Sequence, residues 1–155
     1  MIRALYNWTI NLAVTPYALW ALAVVAFAES SFFPIPPDIL LIPIIIARPK
    51  NAFLIATIAT FASVLGGGLG YYIGLKFYEL IGSSIVTFYH AEELFKEFQV
   101  QFNQYGTIAI LIAGITPFPY KIITISSGIA ELPFLQFLIY SIMAVSYTHL
   151  TLPTN

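Results

Sequence analysis

Glu29, Asp38 and Lys121 are ionisable residues set inside apolar stretches of the chain. On insertion scales each costs about 2.5 to 3.5 kcal/mol at the centre of a membrane helix, so such residues line a pathway or pair with one another. Two carboxyls withdrawn from water can take up and release protons, which would couple movement to a proton gradient. A lysine ammonium is a compact point charge that suits phosphate oxygens. The chemistry on offer is proton exchange at Glu29 and Asp38 beside an anion contact at Lys121. Glu29 with Asp38 could also be imagined as a hydrolytic carboxylate dyad, but no motif accompanies them.

Asp38 and Lys121 share a repeated setting. P-I-P-P-D-I-L-L-I runs from Pro34 to Ile42 and P-F-P-Y-K-I-I-T-I from Pro117 to Ile125, so a Pro-x-Pro break precedes each charge. Lipid cannot hydrogen-bond the backbone that proline frees, and breaks at membrane depth survive only inside protein or beside an aqueous cavity. Pro34, Pro36, Pro37, Pro117 and Pro119 are therefore read as helix breaks at a duplicated, membrane-buried site. The arms that restart near Asp38 and Lys121 present orphan N–H groups and a positive dipole end toward it. Helix N-termini bind phosphate readily. An anionic headgroup could be held there while its tails stay in lipid. Ser30, Ser31, Thr116, Ser126 and Ser127 could cap or hydrate the broken backbone, or serve as ordinary polar filler. Asp38 and Lys121 could instead form a buried ion pair that pins the two copies together. Buried pairs are poor sources of net stability, which favours a site over a lock.

Composition agrees with a membrane setting. Of 155 residues, 59% are hydrophobic and 8% charged, with a mean hydropathy of +0.88, whereas soluble domains carry about 25% charged residues. An all-α integral membrane protein is expected. A net charge of -1 offers no basic face to nucleic acid. The chain has no cysteine, His90 falls in a polar loop, and neither His-x-x-x-His nor nucleophile-elbow spacing occurs. No catalytic residue, metal or cofactor is expected. The first long apolar run ends in Glu29 and prolines instead of a small-residue cleavage site, which argues against a secretory signal.

The elements that must position the charges follow from the apolar pattern. Residues 1–15, with Arg3, Tyr6 and Trp8, read as a short interfacial helix. Residues of about 17–47 form two short apolar arms around the first break, each too short for the roughly 20 residues of a crossing, which favours a re-entrant hairpin. Asn51 is placed as the N-cap of a spanning helix over Ala52 to Ile73. Ala62, Gly66, Gly70 and Gly74 give that helix a small-residue face on which a second helix can approach closely. Gly68 and Gly70 lack the βαβ context of a dinucleotide loop. In the polar region after it, Leu94, Phe95, Phe98 and Phe102 make one face of an amphipathic surface helix. Residues of about 107–130 form the second hairpin, and a final apolar helix begins near Phe134.

The unit is a re-entrant hairpin plus a transmembrane helix, used twice. One span between the hairpins places them on opposite sides, the inverted-repeat arrangement of many transporters. Arg3, Arg48 and Lys50 would lie on the side of the first hairpin, which positive-inside bias assigns to the cytoplasm. Residues 1–146 make a single membrane domain. From Ser146 the chain reads S-Y-T-H-L-T-L-P-T-N, which looks like translated sequencing-adapter read-through. Residues 147–155 are read as a non-native tail and the last helix as truncated.

E-S-S-F-F-P-I-P-P-D, Glu29 to Asp38, resembles the signature of the DedA family, also called the SNARE-associated or VTT-domain family. G-I-T-P-F-P-Y-K-I-I-T-I-S-S-G, Gly114 to Gly128, is similar to the second hairpin of its YqaA-like branch. The resemblance implies two opposed re-entrant hairpins in a multi-pass protein of the bacterial inner membrane. It implies lipid translocation, as flippases of the polyprenyl phosphate carrier in bacteria and scramblases in eukaryotes. Glu29 and Asp38 match the family's membrane-embedded acids, and Lys121 stands where many members have an essential arginine. Ile115 occupies about the place of the usual first arginine of that hairpin. The leading expectation is a lipid translocase for an anionic phosphate lipid, with membrane lipid as partner and a homo-oligomer compatible. The alternatives are a non-transporting protein that supports envelope or membrane-protein assembly, and a carrier or channel for a small solute.

Overall fold

The computed structural model of the protein describes residues 11, 15–31, 38–116 and 119–151, which are helical and contain no strand. The first arm is α1 (Ala18–Ser31), 14 residues long, and the second is α2 (Asp38–Ala47), 10 residues. A single 3-10 turn over Pro49–Asn51 leads into α3 (Ala52–Phe77), the longest helix at 26 residues. A π-helical turn at Tyr78–Gly82 then passes into α4 (Ser83–Phe88). After a tight reversal come α5 (Glu92–Ile115), α6 (Tyr120–Ile129) and α7 (Phe134–Thr151). Among the described residues two helical stretches, Pro49–Phe88 and Phe134–Thr151, are long and apolar enough to cross a bilayer.

Local chemistry explains where these elements differ from the sequence pattern. Asn51 does stand at the N-cap of α3, but its side chain makes no capping bond. The preceding 3-10 turn takes over that role, since the Ala52 N–H donates to the Pro49 carbonyl. The spanning helix does not stop at Ile73: nothing between Ile73 and Phe77 forbids the helical ladder, and Lys76 pairs with Glu79 at 2.5 Å just beyond. The amphipathic helix and the second hairpin's first arm are one continuous helix, α5. Gly106 does not break it, because the Phe102 ring covers the space beside it. Helix α7 passes Ser146 without interruption, and Thr148 Oγ1 donates to the Gly114 carbonyl of α5.

α3 is the shaft on which the others pack, with α1 and α6 making its most extensive contacts. Its small-residue row is buried at all four predicted positions, Ala62, Gly66, Gly70 and Gly74. The row receives two helices. At Gly66 the Phe27 carbonyl of α1 occupies the space a Cβ would need, and at Gly74 the Ile125 carbonyl of α6 does so. Between them, a Cβ on Gly70 would stand 2.5 Å from Thr124 Oγ1 and 3.4 Å from the Ser30 carbonyl oxygen. Ser31 locks the first contact, its hydroxyl donating to the Phe27 carbonyl at 2.7 Å and across to the Gly66 carbonyl at 3.0 Å.

Two apolar clusters flank this seam. Ala18 and Leu22 of α1 meet Leu41 and Ile44 of α2 and Ile55 and Ala59 of α3 near the start of α3. Tyr71 of α3 meets Ile110, Leu132, Phe137 and Ala144 farther along. The Tyr71 hydroxyl donates to the Leu132 carbonyl at 2.7 Å, tying the shaft to the turn between α6 and α7. That turn is a Schellman motif: the Leu132 N–H donates to the Ser127 carbonyl and the Glu131 N–H to the Gly128 carbonyl. Asn103 of α5 also donates to the Ala130 carbonyl at 3.0 Å. Glu131 holds the left-handed position at φ 55°, where glycine is the usual residue.

Substitutions on α3 should separate crowding from helix propensity. Gly66→Ala forces a methyl into a backbone carbonyl and should cost about 1 to 3 kcal/mol or more. Gly68→Ala, where a Cβ meets nothing within 4 Å, should be neutral or gain about 0.5 to 1 kcal/mol. Thermal melting of the detergent-solubilised chain checks the pair. By the same assay Glu131→Gly should raise stability by about 1 kcal/mol, through relief of the left-handed backbone.

Candidate functional site

Glu29 sits in the last turn of α1, between two residues that touch the shaft: the Phe27 carbonyl lies on Gly66 and the Ser30 carbonyl on Gly70. Lys121 sits in the first turn of α6, between Tyr120, which reaches Gly67, and Thr124, which reaches Gly67 and Gly70. The acidic end of the first arm and the basic start of the later one therefore converge at one level of α3. Gly66 lies about 20 Å along that helix from its start, near its middle.

Glu29 is half-buried, and the Ser30 hydroxyl donates to its Oε2 at 3.4 Å. Lys121 is half-buried, and its carbonyl accepts a hydrogen bond from Thr124 Oγ1 at 2.9 Å, which secures the first turn of α6. Pro119 precedes that turn in an extended conformation, φ -62° and ψ 108°, and supplies no side-chain cap. Asp38 opens α2. The Asp38 side chain, together with Pro34, Pro36, Pro37 and Pro117, lies outside the described residues.

The small hydroxyl residues divide into two groups. Thr116 and Ser127 each donate to the carbonyl four residues back, of Ile112 and Ile123, at 2.7 Å. Ser31 bridges α1 to α3, and Ser30 stays with Glu29. Sequence reasoning passed over two further hydroxyls, Tyr120 and Ser141. Both oxygens are buried and neither makes a hydrogen bond of regular geometry. A tyrosine inside the second Pro-x-Pro motif was the available signal for the first; Ser141, a lone hydroxyl in an apolar helix, offered none.

A cavity of about 430 Å³ opens elsewhere, between α3 and α7, lined by Phe53, Thr57, Phe61, Leu138 and Ile142 among others. Neither Glu29 nor Lys121 lines it. Among the described residues no group of three His, Asp or Glu side chains comes together as a metal site.

A family model described as the VTT domain matches residues 33–152. A protein of Haemophilus influenzae is 34% identical over 135 residues, which cover 87% of this chain and 70% of the relative. A Histophilus somni protein is 36% identical over 135 residues with the same coverage. One from Methanocaldococcus jannaschii is 27% identical over 126 residues, 81% of this chain and 76% of its own. All three relatives are described as uncharacterized. No solved structure gives a significant match. The matched residues take in the shaft α3 with α6 and α7 and begin just beyond α1. The chain belongs to the VTT-domain family of membrane proteins, the DedA family.

Proposed function

We propose that the chain is a lipid translocase of the bacterial inner membrane, moving an anionic phosphate lipid such as a polyprenyl phosphate. The observation that carries this reading is the convergence of the Glu29 end of α1 and the Lys121 end of α6 on the Gly66 to Gly70 stretch of α3. Opposite charges on two helix ends that pack against the middle of a spanning helix have no use in a simple anchor, and intramembrane charges mark pathways. In this reading α1 with α2, and the end of α5 with α6, are re-entrant hairpins in an inverted repeat. Their second arms are both 10 residues long and each leads through a short connector into an apolar helix, which supports that reading.

Each part then has a role. The first turn of α6 offers backbone N–H groups and the Lys121 ammonium to the phosphate, while the lipid tails stay outside. Glu29 and Asp38 exchange protons, so that the charge near the headgroup changes as it crosses and binding on one side differs from binding on the other. The close backbone contacts of α1 and α6 on α3 are the surfaces along which one hairpin would shift against the other to open the site to each side in turn.

Reconstitution of the full chain in vesicles, with polyprenyl phosphate as cargo, tests this. Lys121→Gln should lower the initial rate about tenfold or more, as loss of a charge-assisted contact does. Glu29→Gln and Asp38→Asn should flatten the dependence of rate on a proton gradient. Asp38→Lys combined with Lys121→Asp should stay inactive if the charges form a directional site. Wild-type transport by that double variant would assign them to a structural lock and overturn the directional site proposed here.

A further inference from the structure

We infer that the groove between α3 and α7 is a binding site for one acyl tail of an anionic glycerophospholipid, with Lys50 at the level of its headgroup. The inference goes beyond the translocase reading and holds whether or not the chain moves lipid.

The two helices run antiparallel. The Tyr71 ring of α3 meets Phe134 and Phe137 at centroid distances of 5.3 and 5.0 Å, whereas Thr60, nearer the start of α3, meets His149 near the end of α7. The cavity of about 430 Å³ lies along this pair, walled by Phe53, Thr57, Phe61 and Leu65 of α3 and by Leu138 and Ile142 of α7. The two threonine hydroxyls in its wall are engaged: Thr57 Oγ1 donates to the Phe53 carbonyl at 2.8 Å, and Thr60 Oγ1 lies 3.2 Å from His149 Nδ1. An apolar cavity does not hold water, and an empty one forfeits the dispersion contacts of its lining. Hydrocarbon is the matched filling.

Position and length point to a lipid tail. Both helices are long and apolar enough to cross a bilayer, and Phe53, Phe61, Leu65 and Ile142 are exposed, so the groove is continuous with the lipid-facing surface. From Phe53 to Leu65 it follows α3 for about 18 Å, and one leaflet of the hydrocarbon core is about 15 Å deep. The groove thus has the depth of a single leaflet and ends beside Gly66, where α1 makes its contact.

Charge selects the headgroup. The 3-10 turn Pro49–Asn51 runs directly into α3, and residues three apart eclipse in that geometry, so Lys50 stands one turn before Phe53 on the groove's face. Lys50 is exposed. Arg48, whose Nη2 donates to the Thr15 carbonyl at 2.8 Å, adds a second positive charge at that level. Neither α3 nor α7 carries an acidic residue to offset them. A lipid with net negative charge complements this end of the groove.

Photolabelling of the full chain tests the inference, in phosphatidylcholine vesicles with a minor share of phosphatidylglycerol bearing a diazirine midway along one acyl chain. Peptide mapping should find more adducts on Phe61, Leu65 and Ile142 than on Trp20 and Val24, which are exposed on α1 outside the groove. Phosphatidylcholine with the same diazirine should label the groove about fivefold less, the discrimination that one basic residue gives near an anionic headgroup. Lys50→Gln should bring the two lipids close to parity, and Ile142→Trp, which fills the groove, should remove its adducts and leave those on Trp20. Equal labelling of groove and outer surface, equal labelling by the two lipids, or a preference unchanged in Lys50→Gln would overturn the inference. Displacement of the label by an equal amount of polyprenyl phosphate would also overturn it and give the groove to that tail. The wild-type comparison stands without either variant, and since labelling requires no transport, its failure is distinct from failure of the translocase reading.

Discussion

Helices in a bilayer gain nothing from burying apolar surface against one another, because lipid tails are as apolar as leucine. They associate where backbones can come close enough for dispersion and polar contacts to accumulate. In this chain that condition is met along one face of α3. Gly66, Gly67, Gly70 and Gly74 leave room for the Phe27 carbonyl, the Tyr120 hydroxyl, the Thr124 side chain and the Ile125 carbonyl in turn. The crowding is mutual, since Gly128 of α6 lies against the Tyr71 carbonyl of α3. Helices α1 and α2, of 14 and 10 residues, gain their place largely from this seam and from the cluster of Leu22, Leu41 and Ile55.

The site is a consequence of that seam. Glu29 and Lys121 are far apart in sequence and belong to different arms, yet each is flanked by residues that touch the same stretch of α3. Polar contacts reinforce the approach: Ser31 reaches the Gly66 carbonyl, and Tyr71 reaches the Leu132 carbonyl. At the centre the satisfaction fails locally, at Tyr120 and Ser141. Unsatisfied groups amid an otherwise paired interior are where function is to be looked for.

Much of this was legible in the residues. The arm beginning at Asp38, the final helix beginning at Phe134 and the buried row from Ala62 to Gly74 all follow from apolar length, proline breaks and four-residue spacing. The family that the resemblance named is met by the VTT-domain match over residues 33–152. What was not legible depends on tertiary context. The change from an amphipathic to an apolar pattern near residue 107 suggested two elements, but one helical ladder runs through from Glu92 to Ile115. Asn51 had the right type for a cap, and a 3-10 turn made it unnecessary. Gly67 lies off the four-residue row, and only the packing of Tyr120 reveals its use. Glu131 sits in a left-handed position that local preference assigns to glycine, held there by Asn103 and the Schellman bonds.

The central claim is that the acidic end of α1 and the first turn of α6 meet on the glycine face of α3 inside the membrane. Ser30 and Thr124 both lie against Gly70, and the chain has no cysteine of its own, so a cysteine pair at these positions reports on the meeting directly. Ser30→Cys with Thr124→Cys should be joined in native membranes by a thiol crosslinker of about 5 to 6 Å reach, the range over which two cysteines can be bridged. Crosslinking that is absent there, while the pair reacts separately with a small membrane-permeant thiol reagent, would contradict the account.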